Sequence, residues 1–281
     1  MPQPRARLCR RTRPAGTLFD TVSGVQSSPL PDPPPSLARH HALFLDFDGT
    51  LAPIAPRPDE VKLPSWVVPT LRALREPLDG ALVIVSGRPL AELDGFLSPL
   101  RLPAAGVHGI ERRLADGRIR VHAGPPPAAV AEAAQALVAR HPGLLIERKP
   151  GALALHYRQR PELEALCLET IDAAVAGSPD WQALRGKCVV EVKPRRISKG
   201  AALKAFLAEP GFAGRTPVFV GDDATDEDGM REAQAAGGCG VKVGEGETLA
   251  RHRLPDVAAV ARWLARSAEA LAGAAPARGA A

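Results

Sequence analysis

Asp46 and Asp48 stand at i and i+2 where an apolar run, Leu43-Phe44-Leu45, meets a Gly49-Thr50 turn. A carboxylate can attack phosphorus to give an aspartyl-phosphate, and a second acid two residues on can protonate the leaving oxygen and then deprotonate water. Two acids buried together are costly without a cation, and hard oxygen ligands suit a divalent metal such as Mg²⁺. Three further groups have types that fit the same chemistry: Ser86 in an SGR turn, Lys199 before Gly200, and Asp222-Asp223 in GDDATDED. A hydroxyl and an ammonium can hold phosphoryl oxygens while acids hold the metal. The set needs no cysteine and no histidine.

These groups recur at the ends of predicted strands, which is where ligands bind in α/β sheets. Strands at 43–45, 81–85 and 104–107 are wholly apolar, as expected of strands buried on both faces. Helices at 65–75, with Ser65 as a possible N-cap, and 89–97 alternate with them, and this βαβ order predicts a parallel sheet. From Glu111 the pattern changes. Asp116-Gly117 turns one hairpin, 128–140 is helical, and Pro150-Gly151 turns a second hairpin. A helix at 162–176 and a strand at 187–194 follow. The βαβ pattern returns with a helix at 198–208 and strands at 216–221 and 239–244, and a helix at 257–271 closes the fold. The fold class is therefore α/β, a Rossmann-like parallel-sheet core over 40–110 and 194–272, with an inserted α+β domain over 111–193. Alternation in the insert leaves one sheet face polar, able to close over a substrate. Residues 1–39, ending in Pro33-Pro34-Pro35, form a disordered basic, Pro-rich arm, and 273–281 a frayed tail.

At 281 residues the chain can bury a sizeable core, and its net charge is +5. Residues 1–40 carry six arginines against two aspartates. The basic balance thus belongs to the arm, and the near-neutral body argues against nucleic acid as a partner. No apolar run is long enough for a membrane span or an export signal. Cys9, Cys167, Cys188 and Cys239 are scattered without metal spacing, as free thiols in a reducing cytoplasm would be. A cytoplasmic monomer acting on a small molecule is expected.

The ordered set DFDGT, SGR, Lys199-Gly200 and GDDATDED resembles the haloacid dehalogenase (HAD) superfamily of phosphatases. More closely, GVHGIE, ALALHYR, GKCVVEVKP, SKGAAL and GDDATDED are similar to the trehalose-6-phosphate phosphatase family, over about 42–263. The resemblance implies a HAD core with a cap and Mg²⁺-dependent hydrolysis of a sugar phosphate. It implies Asp46 as nucleophile and metal ligand, and Asp48 as general acid/base with its backbone carbonyl on the metal. Asp222 would be the third protein ligand, with Asp223 on or just behind the metal and Asp226 orienting ligands. Phe47, Thr50, Ser86, Gly87 and Arg88 would line the phosphate site, and Lys199 would pair with the phosphate. Glu111, Arg113, Lys187 and Glu191 fall where sugar hydroxyls are expected to be bound.

The chain departs from the family's pattern at Met230, where an aromatic residue is common, and at Arg195-Arg196-Ile197, where a glycine-containing turn is usual. Asp226, Glu227 and Asp228 also read as an ordinary acidic helix start. Lys187 and Glu191 equally read as an ion pair on one strand face. His108, His156, Trp66, Trp181 and Trp263 read as packing residues. A sucrose-phosphate or mannosyl-glycerate-phosphate phosphatase, a phosphohexomutase, or a sugar-phosphate-binding regulatory domain are the competing functions. The intact acids and lysine argue against the last.

Overall fold

Along β1 (His41–Leu45), Leu43 and Leu45 point to one side and Ala42 and Phe44 to the other, and all four are fully buried. A strand with two apolar faces needs a layer on each, and the computed structural model, which describes residues 33–273, supplies both. On one side Leu43 and Leu45 pack with α1 (Val67–Arg75), α2 (Leu90–Leu97) and α7 (Val257–Gly273). On the other, Phe44 packs with α5 (Lys199–Leu207) and α6 (Asp226–Ala235) through Phe206 and Met230.

The central sheet continues from β1 to β2 (Leu82–Val85) and β3 (Ala104–Gly106) on one side, and to β10 (Thr216–Gly221), β11 (Cys239–Val243) and β12 (His252–Leu254) on the other. These six strands are parallel. The chain leaves β1 in one direction and returns through β10 in the other, so the β1/β10 border is the switch point where a crevice opens. The expected parallel core is present, and β12 is an additional strand. Ser65 does not cap α1, whose first turn has no side-chain cap.

Two expected boundaries are corrected. The hairpin β4 (Glu111–Arg113) and β5 (Ile119–Val121) pairs antiparallel onto β3, so it ends the core sheet and is no part of the insert. Residues 33–39 are not a loose arm. Leu37 is buried, its N–H donates to Ser267 Oγ at 3.1 Å, and Trp263 donates to the Pro35 carbonyl at 2.9 Å. The rest of the basic arm, residues 1–32 with Cys9, and the tail at 274–281 lie outside the described residues.

The insert forms its own antiparallel sheet, in the order β6 (Leu145–Lys149), β7 (Ala152–His156), β9 (Val189–Pro194), β8 (Trp181–Gly186). Strand β8 was not expected. Leu153, Leu155, Val190 and Val192 point beneath α3 (Ala128–Arg140) and α4 (Glu164–Val175). Register and the two-residue period place Glu147, Lys149, His156 and Glu191 together on the opposite face. Ala152 and Ala154 lie between them, small enough to leave room for the long polar chains. This is the polar face that alternation predicts.

Candidate active site

The ends of β1 and β10 meet over Gly49. Its φ is +84°, and a Cβ there would lie 2.1 Å from Asp222 Oδ2. Glycine is the residue that allows both the left-handed turn and this close approach. Asp46, Asp222 and Asp226 thereby offer carboxylate oxygens within 4.8 Å of one another. Lys199 enters from the first turn of α5, a helix whose N-cap, Ser198, accepts from Ala201 N–H at 3.0 Å. Its ammonium donates to Asp46 Oδ1 at 2.7 Å and to Asp226 Oδ1 at 2.6 Å, and all three side chains are almost wholly buried. Asp226 Oδ2 turns back to accept the N–H groups of Asp222 and Asp223, at 3.2 and 3.0 Å. Lys242 donates to the Asp222 carbonyl from β11.

Two ammoniums, Lys199 and Lys242, do not balance three acids. Burial first, and then the nearby Asp226, push Asp46 well above the usual carboxylate range. The same two causes raise Asp222 to about 6. Burial lowers the Lys199 pKa, but Asp226 and Asp46 more than reverse this, so the lysine stays charged. Asp222 Oδ1 is buried without a hydrogen-bond partner. An orphaned carboxylate oxygen among raised acids is what a hard divalent cation would satisfy. Both Asp226 oxygens are already engaged, so Asp46 and Asp222 have the oxygens free to ligate. Asp223 does not belong to this group. It is exposed and accepts from the N–H of Ala224 at 2.7 Å, which corrects the expectation that it holds the metal.

Asp48 has a different setting. Arg88 grips both its oxygens, at 2.7 and 2.8 Å, and reaches Glu92 at 2.9 Å, while its guanidinium lies over the rings of Phe47 and Phe96. The Asp48 side chain is 36% exposed against 5% for Asp46. Thr50 is fully buried with its hydroxyl unpartnered, and Ser86 Oγ accepts the Arg88 N–H at 3.1 Å. The structure thus brings together Asp46, Asp48, Thr50, Ser86, Gly87, Arg88, Lys199 and Asp222, as expected, and adds Asp226.

A cavity of about 240 Å³ opens beside Asp48, Gly87 and Arg88. Its far wall is the cap's polar face, with Glu147, Lys149, His156 and Arg158, and Ile54, Ala55 and Val61 form an apolar side. His156 Nε2 is 2.8 Å from Glu147 Oε2. Lys149 donates to Glu191 Oε2 and to the Gly87 carbonyl, each at 3.2 Å, so it ties cap to core. Of the four expected sugar contacts, only Glu191 is at this joint.

The other three are corrected. Glu111 caps α2 by accepting the Leu90 N–H at 2.8 Å. Buried Arg113 is committed to Asp94 at 2.7 Å and to the Leu102 carbonyl at 2.8 Å, on the core side. Lys187 is exposed in the turn between β8 and β9, off the strand that carries Glu191. Glu147, Lys149 and His156 were missed. Their signal was polar residues at i and i+2 in a β6 facing the alanines of β7, readable once the register is known.

A parallel core with acids at its switch point and an inserted cap over them defines a capped phosphatase of the HAD superfamily. A haloacid dehalogenase-like hydrolase from Bacteroides thetaiotaomicron shares this fold, with a TM-score of 0.59 at 17% identity over 80% of this chain and 98% of that one. A crystal structure of a trehalose-6-phosphate phosphatase related protein gives 0.64 at 27% identity, over 82% and 98%. The trehalose-6-phosphate phosphatase of Escherichia coli (strain K12) is 44% identical over 232 residues, 82% of this chain and 87% of that one. The family profile described as Trehalose-phosphatase matches residues 44–257. This chain belongs to that family and is a phosphatase. Among the described residues no helix is long and apolar enough to cross a membrane.

Proposed function

We propose that this phosphatase releases phosphate from trehalose 6-phosphate, giving trehalose, with Mg²⁺ as cofactor and through an aspartyl-phosphate. The observation that carries the proposal is the division between a buried, cation-poor acid cluster and an open polar cavity joined to it at Asp48. The similarity to enzymes named for this substrate supports the choice of sugar.

Asp46 would hold the metal together with Asp222 and the Asp48 backbone carbonyl. When bound, the metal would neutralise negative charge on the phosphoryl group. Asp46, oriented by Lys199, would attack phosphorus, and burial keeps water from competing for the nucleophile. Thr50, Ser86 and Lys199 would donate to phosphoryl oxygens, and Thr50 has an unpartnered hydroxyl for the purpose. Asp48 has the solvent access that Asp46 lacks. It would protonate the departing sugar oxygen and then take a proton from the water that hydrolyses the aspartyl-phosphate. The sugar rings would lie against Glu147, Lys149 and His156, whose donors and acceptors match a ligand rich in hydroxyls.

Phosphate release from a panel of sugar phosphates, with Mg²⁺ and with chelator, tests this. Turnover of trehalose 6-phosphate well above the others, abolished by chelation, is expected. Preference for another sugar phosphate would overturn the substrate, and full activity in chelator would overturn the metal.

A further inference from the structure

The turn after β3 runs against backbone preference. Val107 and His108 both have positive φ, 48° and 57°. A β-branched residue in that region is a genuine outlier, kept only where the surroundings over-determine it. Two hydrogen bonds do so here. Val107 N–H donates to the Arg88 carbonyl at 3.0 Å and His108 N–H to the Ser86 carbonyl at 2.8 Å. The strained turn and the Ser86 turn are therefore one unit.

What this conformation achieves is the placement of a ring. A Cβ on Gly87 would lie 3.0 Å from the His108 imidazole, so the ring sits directly on that glycine. Its Nε2 is 3.4 Å from Glu191 Oε1, and its Nδ1 is buried without a partner. Glu191 comes from the cap, and its other oxygen accepts from Lys149, which donates in turn to the Gly87 carbonyl. The chain of contacts closes on itself across the joint: Gly87, His108, Glu191, Lys149, Gly87. A histidine needed only for packing would not require a left-handed backbone, nor face a buried carboxylate from another layer.

We propose that His108 is a positioning residue: through Glu191 it sets Lys149 in the substrate cavity and registers the cap on the Ser86 turn. The inference rests on the reading of that cavity as a sugar-phosphate site. It separates recognition of the sugar from chemistry at phosphorus. A substrate too small to reach the cap does not depend on His108, whereas a disaccharide phosphate does.

His108→Gly and His108→Asn test this on trehalose 6-phosphate and on p-nitrophenyl phosphate. Both substitutes tolerate positive φ, so neither adds backbone strain. Gly also empties the ring's place, and thermal melting is read alongside so that this loss is separated from the effect on KM. In His108→Gly, KM for trehalose 6-phosphate is expected to rise about tenfold or more. Its kcat, and aryl phosphate turnover, should stay within about twofold of wild type. His108→Asn keeps an N–H donor and should recover part of the KM. Equal losses on both substrates, unchanged KM in both variants, or no difference between Gly and Asn would overturn the proposal. If wild type hydrolyses the aryl phosphate but not trehalose 6-phosphate, the substrate reading fails instead. The same variants are then measured on the sugar phosphate that wild type accepts, with the same expectations.

Discussion

In the core, Asp46 and Asp226 share the ammonium of Lys199, and Asp222 stands beside them with Lys242 on its carbonyl. In the cap, Glu147 and Glu191 share Lys149, and each also faces a histidine. The consequences for charge are opposite. Burial raises the core acids Asp46 and Asp222, and Asp226 adds to it. Burial also works to raise Glu191, but His108 and Lys149 more than offset it and hold this carboxyl far below its usual range. For Glu147, His156 and Lys149 likewise outweigh burial and lower the value. The core cluster is short of positive charge and offers carboxylate oxygens to a cation. The cap cluster's acids already have partners in Lys149 and the two histidines, and what it offers a ligand is oriented hydrogen bonds. On the function proposed above, metal and phosphate would be held by one layer and the sugar selected by the other.

Four measurements would break or sharpen that contrast. Asp46→Asn should lower turnover by about a thousandfold or more on every substrate, without lowering Tm, because it removes a charge from a crowded site. Phosphate release and thermal melting together check this. Lys199→Met should destabilise the metal-free protein by about 3–5 kcal/mol in denaturant titration, since it strips buried Asp46 and Asp226 of the ammonium that pairs with both. Lys149→Met should raise KM for the sugar phosphate by about 10- to 100-fold while sparing an aryl phosphate. Equal loss on both would mean that the cap acts on the chemistry itself.

The smallest effect is in pH dependence. Asp222 has a folded value of about 6 against an ordinary 3.8, so the native state holds its proton more tightly than the unfolded chain does. Metal-free stability should therefore fall by about 1–2 kcal/mol as pH rises from about 4 to about 6. Asp222→Asn should lessen that slope, and Asp46, raised by the same causes, supplies the remainder with the same sign. Glu191 has the opposite sign. Its contribution is complete above the ordinary 4.5 and is lost as pH drops below it, and Glu191→Gln should flatten the acid limb.

Legibility in the sequence follows the same division. DFDGT, SGR and Lys-Gly are local: each places its reactive group within a few residues of a strand end, so element order alone puts the groups on one edge. Asp223 and Asp226 could not be ranked in this way. Which acid of DDATDED turns inward depends on the two backbone N–H groups that Asp226 accepts. In the cap, function depends on cross-strand register, and without β8 the sheet's faces could not be assigned. WQALRG has no clear alternation, and its residues are mostly half-buried. The hairpin from Glu111 reads as insert because an antiparallel edge on a parallel sheet looks the same in sequence. Its strand β5 is exposed throughout, so no apolar pattern ties it to the core. Glu111 and Arg113 were misread for the same reason, since their partners Leu90 and Asp94 lie on α2.

The order of strands also bears on how the polypeptide comes together as it is made. Every strand of the cap sheet finds its partners between residues 145 and 194. Strand β1, synthesised first, pairs with β10, about 175 positions later. Segments with near neighbours close sooner than those with distant ones. On the ribosome the cap sheet can therefore assemble while β1 still lacks its β10 partner, and the strand that leads into Asp46 is enclosed only in the last stage of synthesis. The cap layer is ready first, and the core layer is withheld until the chain is nearly whole.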